Sequence, residues 1–155
     1  MATIKPIEQK SVHHIQSGQV IGDGLTSVVK ELVENSFDAS ATSIEIRFKN
    51  YALKHWTSKL TSYDDLDSVK TFGFRGEALS SLCALADLQI TTATSEEAPK
   101  GTRLEFETSG KLKSRSVAAA QRGTTVLVEN IFKTLPVRRS ELERNIKREY
   151  TKVLG

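Results

Sequence analysis

Cysteine occurs once in the 155 residues, at Cys83. A single thiol cannot build a disulfide framework or a cysteine-cluster metal site, so a reducing compartment, cytosol or nucleus, is the default. Methionine and tryptophan also occur once each, and proline three times. No apolar run approaches the ~18 residues a membrane helix needs. The first residues, Met1 to Lys10, are polar and charged and do not read as a secretory signal. Internal repeats, low-complexity stretches and linkers are missing too. His13 and His14 have no Cys or acidic partner at ligand spacing, which argues against a metal site there. Ser80 and Ser81 lack the Gly-x-Ser-x-Gly setting of a serine nucleophile.

What remains is an ordinary globular composition. With 38% hydrophobic residues, the chain can bury a core, and its length suits one domain over residues 1–155. The net charge is +3, unevenly spread. Between Lys133 and Lys152 stand seven basic residues: Lys133, Arg138, Arg139, Arg144, Lys147, Arg148 and Lys152. Glu141, Glu143 and Glu149 oppose them, so this stretch carries +4 and the rest of the chain −1. A basic face of this kind suits phosphate contact, with nucleic acid the obvious partner. The plainer alternative is a solvated helix laced by i,i+4 ion pairs.

Gly18, Gly22 and Asp23 make a turn-rich approach to a helix over Leu25–Asp38, where Leu25, Val28, Val29, Leu32, Val33 and Ser36 share one side. Ile44-Glu45-Ile46-Arg47-Phe48 alternates as a half-buried strand does. Residues 64–70 read as a helical connection, and a second helix follows from Glu77 to about Ala86. Strands are expected over 88–94, 102–107, 111–117 and 124–129, with Ser109-Gly110 turning a hairpin. Residues 140–153 read as one closing helix. Early helices and late, hairpin-linked strands argue for an α+β layered domain.

Four constellations could carry chemistry. In Lys30 to Ala39, residues Glu31, Asn35 and Asp38 stand at i, i+4 and i+7 and share a stripe of the helix. A carboxylate such as Glu31 can orient and deprotonate a water, and an amide oxygen such as Asn35 suits Mg²⁺. The alternative is the wet face of an amphipathic helix. Gly73-Phe74-Arg75-Gly76-Glu77 puts two glycines before a helix, where free N–H groups and the helix dipole attract an anion. Arg75 could add a charged contact. A tight turn explains the same residues. Lys54 to Lys59 could fold over phosphates as a lid, or be an exposed basic loop anchored by Trp56. Arg122-Gly123-Thr124-Thr125 places a hydroxyl near a sheet end, or merely starts a strand well. Cys83, beside Leu79 and Leu82, reads as core.

Taken in order, these segments resemble the GHKL (Bergerat) ATPases and, within them, the MutL-type mismatch repair proteins. The resemblance rests on Ser17-Gly18-Gln19-Val20-Ile21, Lys30 to Ala39, Thr57-Ser58-Lys59, Gly73 to Leu79, Gly123-Thr124-Thr125 and Leu135-Pro136-Val137-Arg138. Gly-Phe-Arg-Gly-Glu-Ala-Leu is the most specific of them, and the first and last resemble the eukaryotic Pms branch. The resemblance implies a two-layer α/β sandwich, helices on one face of a mixed, mostly antiparallel sheet. It implies Glu31 as general base and Asn35 as the holder of Mg²⁺. Asp38 and Ala39 would line the ATP pocket, Thr57, Ser58 and Lys59 would belong to the lid, and Gly73, Phe74, Arg75, Gly76 and Glu77 would wrap the phosphates. Thr124 would sit near the adenine end. ATP binding would dimerise such regions, in the nucleus, with a MutL homologue as heterodimer partner. DNA and MutS-type mismatch-recognition proteins would be further partners. The candidates for DNA contact are Arg138, Arg139, Arg144, Lys147, Arg148 and Lys152.

The chain departs from that pattern at one place. Family members follow the Ile44–Phe48 strand with another strand and an Asp-x-Gly-x-Gly turn, whose aspartate recognises the adenine amino group. Here Phe48-Lys49-Asn50-Tyr51 runs straight into Ala52-Leu53-Lys54-His55-Trp56, and no Asp-x-Gly-x-Gly lies between. The missing piece is a strand, a turn and a short helix, roughly twenty residues by ordinary element lengths. One sheet strand is thus expected to be absent and the activity impaired. The family's second domain, toward which residues 133–155 would lead, supplies a lysine to the γ-phosphate.

Overall fold

The computed structural model describes residues 17, 19, 21–22, 24–48 and 77–154. In chain order these form α1 (Leu25–Asp38), α2 (Glu77–Leu85), β1 (Asp87–Ala93), β2 (Lys100–Phe106), β3 (Leu112–Ala119), β4 (Gly123–Glu129), α3 (Pro136–Arg144) and α4 (Ile146–Leu154). The fold is α+β, as expected. The chain divides into two compact units, Met1–Val28 with Phe74–Gly155, and Val29–Gly73.

Helix α1 has the bounds that its apolar spacing predicts. Gly24, at φ +70°, turns the chain into it, a left-handed value that costs glycine little. Its end is a Schellman motif. Ser40 takes φ 55°, the Ser40 amide donates to the Phe37 carbonyl at 2.8 Å, and the Ala41 amide donates to the Ser36 carbonyl at 3.0 Å. Those two bonds satisfy carbonyls that the helix end would otherwise orphan.

Helix α2 is the centre of its unit. Ala78, Leu82, Cys83, Ala84 and Leu85 are all buried. Leu82 and Leu85 are almost wholly enclosed, each contributing about 1.5–3 kcal/mol. No glycine caps this helix. Its last carbonyls instead receive the Lys133 amide (on Leu85, 3.2 Å) and the Thr134 hydroxyl (on Ala84, 3.2 Å). The loop after β4 therefore closes the end of α2.

The described strands form one sheet in the order β3-β2-β1-β4, every neighbour antiparallel. Ile90 sits opposite Leu104 on one side and Val126 on the other. Leu88, Ile90, Leu104, Val126 and Val128 therefore share one face, and Gln89, Thr91, Arg103, Thr125 and Leu127 share the other. Leu79 and Cys83 of α2 meet Leu88, Ile90 and Phe106 around a cavity of 210 Å³ under the Ser109-Gly110 turn. Gly110 takes φ +80° there, which the expected hairpin requires. Gly101 permits a close approach: a Cβ would lie 2.7 Å from both the Ala120 Cβ and the Thr92 carbonyl oxygen.

Two expectations fail. Ile44–Phe48 forms no strand. Alternation makes a segment fit to pair, but a strand exists only with a ladder partner, and none of the ladders among the described residues includes this segment. The closing helix is two helices, broken at Asn145. Asn145 sits at φ −107°, ψ 14°, and its side-chain amide donates to the Glu141 carbonyl at 3.1 Å. Asparagine competes in this way with the helical ladder. The first piece also starts earlier than expected, at Pro136, because proline is pre-set for the first helical turn.

Candidate functional site

The site is built outward from α1. Glu31 and Asn35 are one helical turn apart, and Asp38 ends the helix. Residues 31–37 are all half-buried, whereas Lys30, Asp38 and Ala39 are exposed. Glu31 and Asn35 are thus neither buried nor as open to water as Asp38, the third residue of the stripe. Ser36 turns its hydroxyl back to the Leu32 carbonyl at 2.8 Å and takes no part in the stripe. Lys30 reaches Glu34 at 3.7 Å with 68% of its side chain exposed, which leaves that pair worth a few tenths of a kcal/mol.

Partial burial raises the pKa of Glu31 above the ordinary carboxyl value, and the neighbouring Glu34 charge raises it further, while Lys30 offsets part of the effect. A carboxylate that holds its proton more tightly is a better base for water. Asn35 offers a neutral amide oxygen one turn away, a donor type suited to Mg²⁺.

The other expected nucleotide residues are less fully placed. Glu77 opens α2, and Thr124 lies on β4, where its hydroxyl meets that of Thr92 at 2.9 Å. Both belong to the unit that contains the sheet, whereas Glu31, Asn35, Asp38 and Ala39 belong to the other. Thr57, Ser58, Lys59, Gly73, Phe74, Arg75 and Gly76 lie outside the described residues, as does the connection over 64–70. Among the described residues no three His, Cys, Asp or Glu side chains cluster as metal ligands. No helix among them is long and apolar enough to cross a membrane. Cys83 is buried, as expected, and burial pushes its thiol pKa up.

The basic stretch is mixed. Arg139 pairs with Glu143 at 3.0 Å and Lys152 with Glu149 at 2.7 Å, the ion-paired helix of the plainer reading. Arg138 stacks over the Phe132 ring at 5.7 Å, and Arg144 donates to the Ser140 carbonyl at 3.2 Å. Lys147 and Arg148 are exposed with no ion pair among the described residues. Neither α3 nor α4 contains a buried residue.

Sequence reasoning missed one polar cluster. Asp87, at the start of β1, accepts hydrogen bonds from the Lys133 ammonium and from the Asn130 amide at 2.7 Å. Asn130 and Phe132 both take left-handed φ values, 53° and 62°, and Phe132 is buried. The partners lie more than forty positions apart in sequence, so no local spacing signals them.

No protein-family model matches the chain. It is 51% identical to DNA mismatch repair protein pms1 of Schizosaccharomyces pombe over 177 residues, covering all of this chain and 22% of that protein. It is 49% identical to the human mismatch repair endonuclease PMS2 over 173 residues, covering 97% of this chain and 20% of that protein. Among solved structures, the N-terminal domain of a DNA repair protein matches with a TM-score of 0.74 and 44% identity, over 92% of this chain and 46% of that one. The Aquifex aeolicus MutL ATPase domain, complexed with ADP, matches with a TM-score of 0.59 and 29% identity, over 85% of this chain and 52% of that one. The fold and its ordered motifs are those of a MutL-type ATPase domain. The chain is a homologue of the Pms mismatch repair proteins and spans about a fifth of their length. The match to pms1 is 177 positions long and this chain has 155 residues, so at least 22 positions of that match have no counterpart here.

Proposed function

We propose that this chain is the nucleotide-binding region of a Pms-type mismatch repair protein that has lost part of its base-recognition machinery. The half-buried Glu31 carboxyl, its pKa raised, carries the reading. In this role Glu31 takes the proton of the attacking water. Asn35 holds the Mg²⁺ that would offset phosphate charge, and Asp38 and Ala39 line the pocket. The resemblance assigns Thr57, Ser58 and Lys59 to a lid, Gly73, Phe74, Arg75, Gly76 and Glu77 to phosphate contact, and Thr124 to the adenine end. The residues present fit the metal and water end of such a nucleotide. They do not fit its base, because no Asp-x-Gly-x-Gly stands in the chain, and a site lacking a hydrogen-bonding group rejects its ligand strongly. The shortfall of at least 22 positions agrees in size with the missing strand, turn and helix. In an intact form, ATP binding drives dimerisation with a MutL homologue in the nucleus, on DNA and after mismatch recognition by a MutS-type protein.

Calorimetric titration with a non-hydrolysable ATP analogue and Mg²⁺ tests this. Binding that Asn35→Ala abolishes supports a surviving pocket. No binding by a demonstrably folded chain means the gap has disabled it.

Lys147 and Arg148, exposed and outside any described ion pair, favour a second reading, a non-catalytic DNA-binding remnant. Reversing the charges of Arg144, Lys147 and Arg148 should then weaken DNA binding and flatten its salt dependence, the slope falling by roughly 0.9 for each phosphate no longer neutralised. Unchanged binding would remove this reading.

A further inference from the structure

The two edges of the described sheet are built differently. β3 forms one edge, and its run from Leu112 to Ala119 carries Lys113 and Arg115. Cations on an edge strand keep other strands away. β4 forms the other edge with Gly-Thr-Thr-Val-Leu-Val-Glu. It contains no lysine, arginine or proline, and its seven pairs with β1 run without a bulge. Beyond that ladder, and the Thr92 hydroxyl on the Gly123 carbonyl at 3.3 Å, its backbone meets no further hydrogen-bond partner among the described residues. A regular, apolar edge with no guard among the described residues is a template for another strand.

We propose that β4 is a docking edge and that its occupant is β4 of a second copy of this chain, antiparallel and centred on Val126. This does not depend on nucleotide binding. Charge and shape on the strand choose the occupant. In that register Val126 faces its own counterpart, Thr125 faces Leu127, Thr124 faces Val128 and Gly123 faces Glu129. No like charges are opposed, and the two carboxylates fall at opposite ends of the joint. The pairs are β-branched and apolar, the kind that stabilise a ladder. Arg122, just before the strand, faces Asn130 and not another cation. The same operation on β3 would gather four cations in one short ladder. Leu127, 37% exposed, is covered on the outer face, and two four-stranded sheets become one of eight strands.

Sedimentation equilibrium of the chain without nucleotide, from low to high micromolar concentration, reads the association directly. A reversible dimer is expected. Thr125 and Leu127 both lie on the outer face beside polar Thr91 and Gln89 of β1, so charged residues there are solvated in the monomer. The double variant Thr125→Lys/Leu127→Lys should be monomeric, because each new lysine faces another across the joint. Thr125→Glu/Leu127→Glu should be monomeric for the same reason. Mixing the two should restore a dimer, with circular dichroism confirming that each variant is folded. A wild-type chain that stays monomeric at every concentration overturns the proposal. So does a dimer indifferent to both double variants, since the copies then meet elsewhere, and so does a mixture that fails to reassociate.

Discussion

The carboxylate of Glu149, on α4, lies against Gly24 at the amino end of α1, so close that a Cβ on Gly24 would come within 3.0 Å of Oε2. The Glu149 side chain is only 13% exposed and is held by Lys152 at 2.7 Å. It brings negative charge to the positive end of a helix dipole. Gly24 also sits at φ +70°, where any L side chain is strained. Gly24→Ala should therefore cost about 1–2 kcal/mol from the backbone alone, plus the displacement of Glu149. Denaturant melts of Gly24→Ala and of the double variant with Glu149→Ala separate the two. The double variant should be less destabilised than the sum of the single changes. Strict additivity would mean that the carboxylate moves aside freely.

Asp87 supplies a pH test. The hydrogen bond from Lys133, and then that from Asn130, hold its carboxyl below the ordinary value of 3.8. A lowered folded pKa gives stability that is fully present above the ordinary value and is lost as pH falls through the folded one. The side chain is 51% exposed, so screening limits the effect to about 1 kcal/mol or less. Asp87→Asn should be less stable than the parent at neutral pH, and the gap should close in strong acid. A gap that stays constant across the acid range would show that the ion pair contributes nothing.

These two contacts also mark where sequence reading stops. α1 was legible to the residue, because 3.6-residue periodicity and a turn-forming approach act locally. The four late strands were legible within about two residues, since alternation and Ser109-Gly110 are local too. Helical spacing put Glu31 and Asn35 on one stripe, and their roles were implied only by the family resemblance; their partial burial depends on what packs around them and has no local signal. The Asp87–Lys133 bond and the closure of α2 by Thr134 join residues more than forty positions apart. Ile44–Phe48 shows the converse: its pattern is that of a strand, yet pattern cannot supply a neighbour. Asn145 gave a local signal, weak helix propensity, that the charge pattern around it masked.

Glu31 links stability to activity. A carboxyl whose folded pKa is raised holds its proton more tightly in the native state. The native state then binds more protons than the unfolded chain just above the ordinary value of 4.5, so stability falls as pH rises through that window. Glu31→Gln removes the cost of the charge while keeping the shape. It should melt higher than the parent at neutral pH, with the difference vanishing in acid, and it should abolish any ATP hydrolysis. Functional residues commonly oppose stability in this way. A variant that melts lower at neutral pH would contradict the burial of the charge.

The unmatched positions lead to the most direct reconstruction. If a strand, a turn and a short helix are missing between Tyr51 and Ala52, the stretch of Schizosaccharomyces pombe pms1 without a counterpart here can be spliced in at that join. A restored neighbour would give Ile44–Phe48 a ladder partner, and its alternating side chains would then face a core and solvent in turn. The acid of the inserted turn would return a hydrogen-bond acceptor to the base, whose absence costs roughly 1–3 kcal/mol when a buried group is left unpaired. The chimaera should therefore gain slowly exchanging amides over residues 44–48 and bind a non-hydrolysable ATP analogue more tightly than the parent chain, by about tenfold or more. Binding that improves without new amide protection would place the deficit in base recognition alone. A folded chimaera that binds no better than its parent would show that something other than the missing segment limits the pocket.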